Sequence, residues 1–222
     1  MITIIKPSFE ILNINASLPL LELAGRTCYK SEERITDESS LDFIRGIIKR
    51  KHETILEHGT MMVRFIHNRG FTHELVRHRL ACFSQESTRY VNYQNKGIQF
   101  INNYENSDAC LGEWGVGRPF LESPDFIWFE AMSQAARLYN SLITGGRKPE
   151  SARGVLPNDL KTEIVMTANL REWRHVFSLR ALGTTGRPHP DMVRVMVPLL
   201  KETASRIPII FDDLVGQLPK EE

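Results

Sequence analysis

A chain of 222 residues with 28 basic and 27 acidic side chains, a formal charge of +1 and 41% hydrophobic content has the composition of one globular domain. At this length folding buries roughly 70% of the surface the unfolded chain exposes, so a core forms without disulfides or a structural metal. The balanced charge argues against a generic nucleic-acid coat, and no apolar run approaches the ~18 residues of a membrane span.

Residues 1–14 read as one or two strands and Pro19 to Tyr29 as a short helix. Leu41, Ile44, Ile47 and Ile48 recur at helical spacing, and Lys49-Arg50-Lys51 place positive charge where a helix C-terminus favours it. From Thr60 to His67 the period becomes two, with Met61, Val63 and Phe65 on one face, which predicts a strand turned by Asn68-Arg69-Gly70. Thr72 is read as the cap of a helix through Leu75, Val76 and His78 toward Ala81, and Phe83 to Tyr93 as an extended segment. Residues 102–124, rich in Gly, Asn and Asp, read as a loop.

Ser123-Pro124 opens a long helix through Phe126, Phe129, Met132, Ala136 and Tyr139, closed by Gly145-Gly146. Thr162, Ile164, Met166 and Ala168 alternate up to Asn169, which can cap the next helix with Glu172 three residues on. That helix carries Trp173, Val176, Phe177 and Arg180 near one face, with Trp173 and Phe177 as core, while Arg171 and His175 sit four apart on another. A last helical region follows Pro190, with a kink expected at Pro198. The order gives an α+β fold: a single domain over 1–222, helices packed around a small, mostly antiparallel sheet.

Two residue types are unevenly used. Arginine outnumbers lysine 19 to 9, favouring planar contacts to phosphate or carboxylate. Five of the seven histidines, His52, His58, His67, His73 and His78, fall in one short stretch. The three cysteines, Cys28, Cys82 and Cys110, have no C-x-x-C spacing and fit neither a disulfide framework nor a zinc site; a cytoplasmic setting is expected. The N-terminus shows no secretory leader pattern.

Arg77-His78-Arg79 in an apolar context is costly unless anions meet it. On a helix its two arginines would point about 200° apart and reach different ligand groups. In an extended Gln85–Tyr90, Gln85, Ser87 and Arg89 line one face, a set able to read a phosphate and a heterocycle edge. His73-Glu74-Leu75-Val76-Arg77 misses the zinc-protease pattern by one position, so no metal is expected. His52-Glu53-Thr54-Ile55-Leu56-Glu57-His58 alone reads as a solvated turn. Arg153, Asn169, Arg171, Arg174, His175 and Arg180 form a second polar cluster. Dinucleotide, P-loop and nucleophile-elbow motifs are absent from the sequence, including any Rossmann G-x-G-x-x-G. Ser87 has no His or Lys placed to activate it and reads as a positioning residue.

The string RHRLACFSQESTRY, with HETILEH at 52–58, FTHELVRHR at 71–79, Arg153-Gly154-Val155-Leu156-Pro157 and Asn169-Leu170-Arg171 through Leu179-Arg180, resembles the flavin-dependent thymidylate synthases. The resemblance implies a ThyX-type fold and a homotetramer with FAD at subunit interfaces. It implies conversion of dUMP to dTMP with methylenetetrahydrofolate as carbon donor and NADPH reducing the flavin. By position, Thr54, Glu57, Arg77, His78, Arg79, Leu80, Asn169, Arg171 and His175 would contact FAD. Glu74, Arg77, Gln85, Ser87, Arg89, Arg153 and Arg180 would hold dUMP. Arg180, a positioning Ser87 and His52, beside the flavin ring and the folate, would serve the reaction. Gln85 stands where other members have glutamate, and His175 where some have asparagine. Two rivals remain. A histidine phosphatase is disfavoured by Arg79 after Arg77-His78, and a nucleotide-binding regulatory module would bind without turnover.

Overall fold

The computed structural model describes residues 2–102 and 124–219. Two strands open the chain, β1 (Ile2–Ile5) and β2 (Ser8–Asn15). Helix α1 (Leu18–Thr27) follows, capped by the Ser17 hydroxyl, and then α2 (Ser39–Lys49), which buries Ile44, Ile47 and Ile48 as their spacing predicts. A six-residue 3-10 turn, Glu53–His58, leads into β3 (Thr60–Asn68), where Met61, Val63 and Phe65 are buried and alternate residues are not.

The next stretch departs from the sequence expectation. Helix α3 is Arg69–Leu75, seven residues, and it starts three positions before Thr72. Asn68 provides the cap, its Oδ1 accepting the Phe71 N–H at 2.8 Å, so Asn68-Arg69-Gly70 begins a helix where a turn is expected. The helix stops at Leu75, and Arg77-His78-Arg79 lie in non-helical backbone, so the helical separation of the two arginines does not apply. Strand β4 is only Ala81–Gln85. Residues 88–90 form a turn, where the Tyr90 and Val91 amides donate to the Ser87 carbonyl, so Gln85, Ser87 and Arg89 do not share a strand face.

Helix α4 (Tyr93–Lys96) and β5 (Ile98–Ile101) follow. The loop expected over 102–124 and the Ser123 cap fall almost wholly outside the described residues. Helix α5 (Pro124–Thr144) carries proline at its first position, and two residues past its end Gly146 has a φ of +87° that suits glycine. It buries Trp128, Met132, Ala136 and Tyr139, while Phe126 and Phe129 are half-buried. After α6 (Pro149–Ala152), β6 (Lys161–Asn169) alternates perfectly, with Thr162, Ile164, Met166 and Ala168 inward. Helices α7 (Leu170–Arg180), α8 (Pro190–Arg206, with Pro198 inside it) and α9 (Asp212–Val215) complete the chain.

Four strands form the small antiparallel sheet in the order β2-β3-β6-β4, and β1 pairs with β5 in parallel, Ile2 opposite Ile98. The fold is α+β, and the described residues form no dinucleotide-binding βαβ unit. By contact the chain forms two compact units. The first takes in Met1–Ser8, Phe65–Leu75 and Ser84–Ile164. Its core is Tyr93, Ile98, Phe100, Trp128, Met132, Tyr139 and Leu160. The Asp159 carboxylate is held inside it, accepting from Asn68 Nδ2 at 2.9 Å and Trp128 Nε1 at 2.7 Å.

The second unit comprises Phe9–Arg64, Val76–Phe83 and Val165–Glu222. Its centre is the fully buried Trp173, whose indole donates to the Met61 carbonyl at 3.0 Å and whose ring lies 5.6 Å from Phe177. Phe177 meets Phe211 edge-on at 5.5 Å. Among the described residues no helix is long and apolar enough to cross a membrane.

Candidate active site

The second unit contains a cavity of about 860 Å³, within the ~300–1,000 Å³ usual for small-molecule sites. Three separate stretches of sequence build it. The 3-10 turn contributes Glu53 and Glu57, the non-helical segment after α3 contributes Arg77, His78, Arg79 and Leu80, and α7 with its cap contributes Asn169, Arg171, Glu172, Arg174, His175 and Arg180 among others. The local reason α7 starts at its edge is the Asn169 cap: Oδ1 accepts the Glu172 N–H at 2.8 Å, as the sequence predicts. A helix N-terminus there adds partial positive charge.

Ion pairs fix the 3-10 turn to α7. Arg171 Nη1 meets Glu57 Oε1 at 2.6 Å, and Arg174 Nε meets Glu53 Oε1 at 3.0 Å. Arg174 is buried and forks onto both Asp213 oxygens at 2.7 Å, with a further bond to the Ile210 carbonyl. Burial works against its charge, but hydrogen bonds to Asp213 and Glu53 outweigh that and push its pKa up. The Glu53–His58 stretch is therefore an ion-paired wall of the cavity, which corrects its reading as a solvated turn. Arg77 and Arg79 are different: among the described residues neither has an ion-pair partner, and both line the cavity.

His78 is 5% exposed, and its pKa is lowered to about 4 by burial, then by the positive charge of Arg180 and by His175. Arg180 Nε lies 3.2 Å from His78 Nε2. The guanidinium can only donate, so Nε2 accepts and the imidazole proton resides on Nδ1. That nitrogen lies 3.4 Å from Glu172 Oε1, a carboxyl whose pKa burial raises. A neutral histidine thus sits between a buried carboxyl and Arg180, and His175 packs edge-on to it at 5.9 Å.

The first unit has a smaller cavity, about 340 Å³, lined by Arg69, Thr88, Arg153, Gly154, Leu156, Pro157, Asn158 and Leu160. Arg153 Nη1 donates to the buried Thr88 hydroxyl at 3.1 Å. Beside β4 and β6, Lys161 bridges Glu86 at 3.2 Å and Glu163 at 2.5 Å.

Of the residues expected at the flavin, Glu57, Arg77, His78, Arg79, Leu80, Asn169, Arg171 and His175 all line the larger cavity, and Thr54 and His52 do not. Of those expected at the nucleotide, Arg77 and Arg180 line that cavity and Arg153 lines the smaller one. Glu74, Gln85, Ser87 and Arg89 line neither. The Gln85 amide donates to Thr72 at 2.8 Å and Thr162 at 3.3 Å, inside the first unit. Ser87 Oγ accepts the Arg89 N–H at 3.3 Å, and Arg89 lies 5.4 Å over the Tyr90 ring. Cys82 is free and exposed and belongs to neither cavity. Sequence reasoning missed Glu53, Glu172 and Arg69; the first two are acidic residues flanking motif positions, and the third hid in what read as a turn.

The family profile described as Thymidylate synthase complementing protein matches residues 11–209. The chain belongs to the flavin-dependent thymidylate synthase family. The enzyme of this name from Corynebacterium efficiens is 33% identical over 207 residues, 87% of this chain and 78% of that one. The Pyrococcus furiosus enzyme is 32% identical over 188 residues, 84% and 72% of the two chains. Among solved structures, the UMP/dUMP methylase PolB from Streptomyces cacaoi, bound with 5-Br dUMP, superposes with a TM-score of 0.81 at 22% identity, covering 97% of both chains. Thymidylate Synthase X from Helicobacter pylori, with FAD and dUMP, gives 0.73 at 19%, covering 94% of this chain and 99% of that one. The family's fold is therefore this chain's fold, and the chain is a transferase of the flavin-dependent synthase class.

Proposed function

We propose that the enzyme converts dUMP to dTMP, taking its carbon from methylenetetrahydrofolate while NADPH reduces FAD, as a single-domain homotetramer in the cytoplasm. The observation that carries the reading is the convergence of Arg77, His78, Arg79, Asn169, Arg171 and His175 on one cavity of the second unit. These residues fit FAD chemically. Arg77 and Arg79, which have no ion-pair partner among the described residues, offer guanidinium forks for a pyrophosphate, and the N-terminus of α7 adds positive potential. Bound there, FAD supplies the hydride chemistry that no amino-acid side chain offers.

The protein's own task is positioning and electrostatics. Arg180, oriented through the neutral His78, places a fixed positive charge in the cavity that can lie against the pyrimidine and favour the N3-ionised base, enriching C5 in electrons. A neutral His78 is needed for this, because an imidazolium could not accept the Arg180 N–H. Arg153 serves the phosphate. Glu74, Gln85, Ser87 and Arg89 are assigned to dUMP, with Ser87 positioning and not attacking, and Thr54 to FAD, with His52 beside the flavin and folate.

The test is spectroscopic and then chemical. Purified protein should carry a flavin absorbance that NADPH bleaches without oxygen, and NADPH oxidation should require dUMP and methylenetetrahydrofolate and yield dTMP. A protein that cannot be loaded with FAD, or that binds dUMP without turnover, sinks the reading, the second outcome in favour of a binding module.

A further inference from the structure

The smaller cavity carries an inference about a residue that neither motif nor resemblance singled out. Arg69 opens α3, and its backbone N–H, with that of Gly70, donates to the Asn158 carbonyl at 2.9 and 3.4 Å. Its position is thereby fixed to the segment that lines the cavity. Its Nη1 is buried and has no hydrogen-bond partner among the described residues, while Arg153, which lines the same cavity, is bonded to Thr88. A buried guanidinium N–H left unpaired is expensive, and a carboxylate usually meets it.

Among the described residues none does, and no acidic one lines the cavity. The neighbouring carboxylates are engaged elsewhere: both Asp159 oxygens accept from Asn68 and Trp128, and Glu86 and Glu163 hold Lys161. Two guanidiniums and a hydroxyl around a space with no fixed negative charge make a receptor for an anion with several acceptor oxygens.

We infer that Arg69 and Arg153 together bind the 5′-phosphate of the nucleotide substrate, Arg69 through the N–H that has no partner among the described residues. The inference rests on the synthase reading for the identity of the nucleotide. The chemistry it requires is a phosphomonoester. Gly154 offers a way to test the space independently of Arg69, since a Cβ there meets nothing within 4 Å and its φ carries no penalty. A carboxylate at this position would compete for both guanidiniums without clashing.

The experiment is calorimetric titration of the full-length, FAD-loaded enzyme with dUMP, deoxyuridine and inorganic phosphate. Arg69→Gln should weaken dUMP about 10- to 100-fold, the range for losing a hydrogen bond to a charged group, and weaken inorganic phosphate likewise. Deoxyuridine affinity should not change. Arg69→Lys should restore part of the loss, and Gly154→Asp should reproduce it in a protein whose thermal midpoint stays near that of the unsubstituted chain. An Arg69→Gln enzyme that binds dUMP within twofold of the parent, or that loses dUMP and deoxyuridine equally, overturns the inference and leaves the synthase reading intact. A parent enzyme that binds inorganic phosphate through Arg69 but not dUMP supports the anion site and overturns the synthase reading.

Discussion

His78 shows how one side chain's environment decides what it can do. An ordinary histidine titrates near 6.5, whereas burial and the Arg180 charge hold this one near 4. Its neutral form is therefore built into the fold, and a price in stability follows. Between about pH 6.5 and 4 the unfolded chain takes up a proton that the folded chain refuses, so the stabilisation is complete above 6.5 and is lost as pH falls toward 4. The gap corresponds to at most about 3 kcal/mol. Urea unfolding at pH 7 and pH 4.5 should show the parent losing about 2 kcal/mol more than His78→Gln over that interval, since the other titrating groups are common to both. Parallel losses would mean that His78 is not held neutral by the fold.

At the scale of elements, helix α7 places Asn169, Arg171, Glu172, His175 and Arg180 together, and its start is set by a close approach. The Leu170 N–H donates to the Gly59 carbonyl at 2.9 Å, and a Cβ on Gly59 would lie 2.5 Å from Leu170 Cδ1 and 3.3 Å from the Asn15 carbonyl oxygen. Gly59→Ala forces the buried Leu170 side chain to move and, through it, strains the first turn of α7, at a cost typical of overpacking, about 1–3 kcal/mol. FAD affinity should fall with it, because Asn169 and Arg171 flank Leu170; fluorescence titration of FAD reads this, and unaltered affinity in a destabilised variant would separate the helix start from the site. The helix itself was legible in the sequence, as was β6, because both follow local rules: the Asn169 cap with Glu172, and period-two burial from Thr162 to Ala168. Arg77-His78-Arg79 was legible as an anion-seeking motif but not as non-helical, since Val76, Leu80 and Ala81 continue an apolar pattern past Leu75, where α3 ends. The Arg174–Glu53 and Arg171–Glu57 pairs join residues more than a hundred positions apart, and no local pattern encodes them. Arg69 was hidden for a similar reason: its meaning lies in which carboxylates are already engaged, which only packing decides.

Over the whole molecule the charges nearly cancel, 28 against 27, yet the larger cavity sets five arginines against three glutamates around a neutral His78. Like charges gathered in a partly dry space repel, and this repulsion destabilises the fold until an anion enters. Binding of FAD should therefore stabilise the protein both by mass action and by relieving that repulsion. At ligand 100-fold above its Kd, mass action alone gives about 2.7 kcal/mol. For a chain of this size each kcal/mol is worth about 2–4 °C, so the thermal midpoint should rise by roughly 5–10 °C. The electrostatic share should shrink as salt rises toward ~1 M, where the screening length falls to about 3 Å. Arg77→Ala with Arg79→Ala removes two guanidiniums of the larger cavity that have no ion-pair partner among the described residues. That double variant should be at least as stable as the parent without FAD and should shift far less with it. If it instead unfolds more easily without FAD and gains the full shift with it, the two arginines are structural, and the cavity's positive charge is not there for an anion.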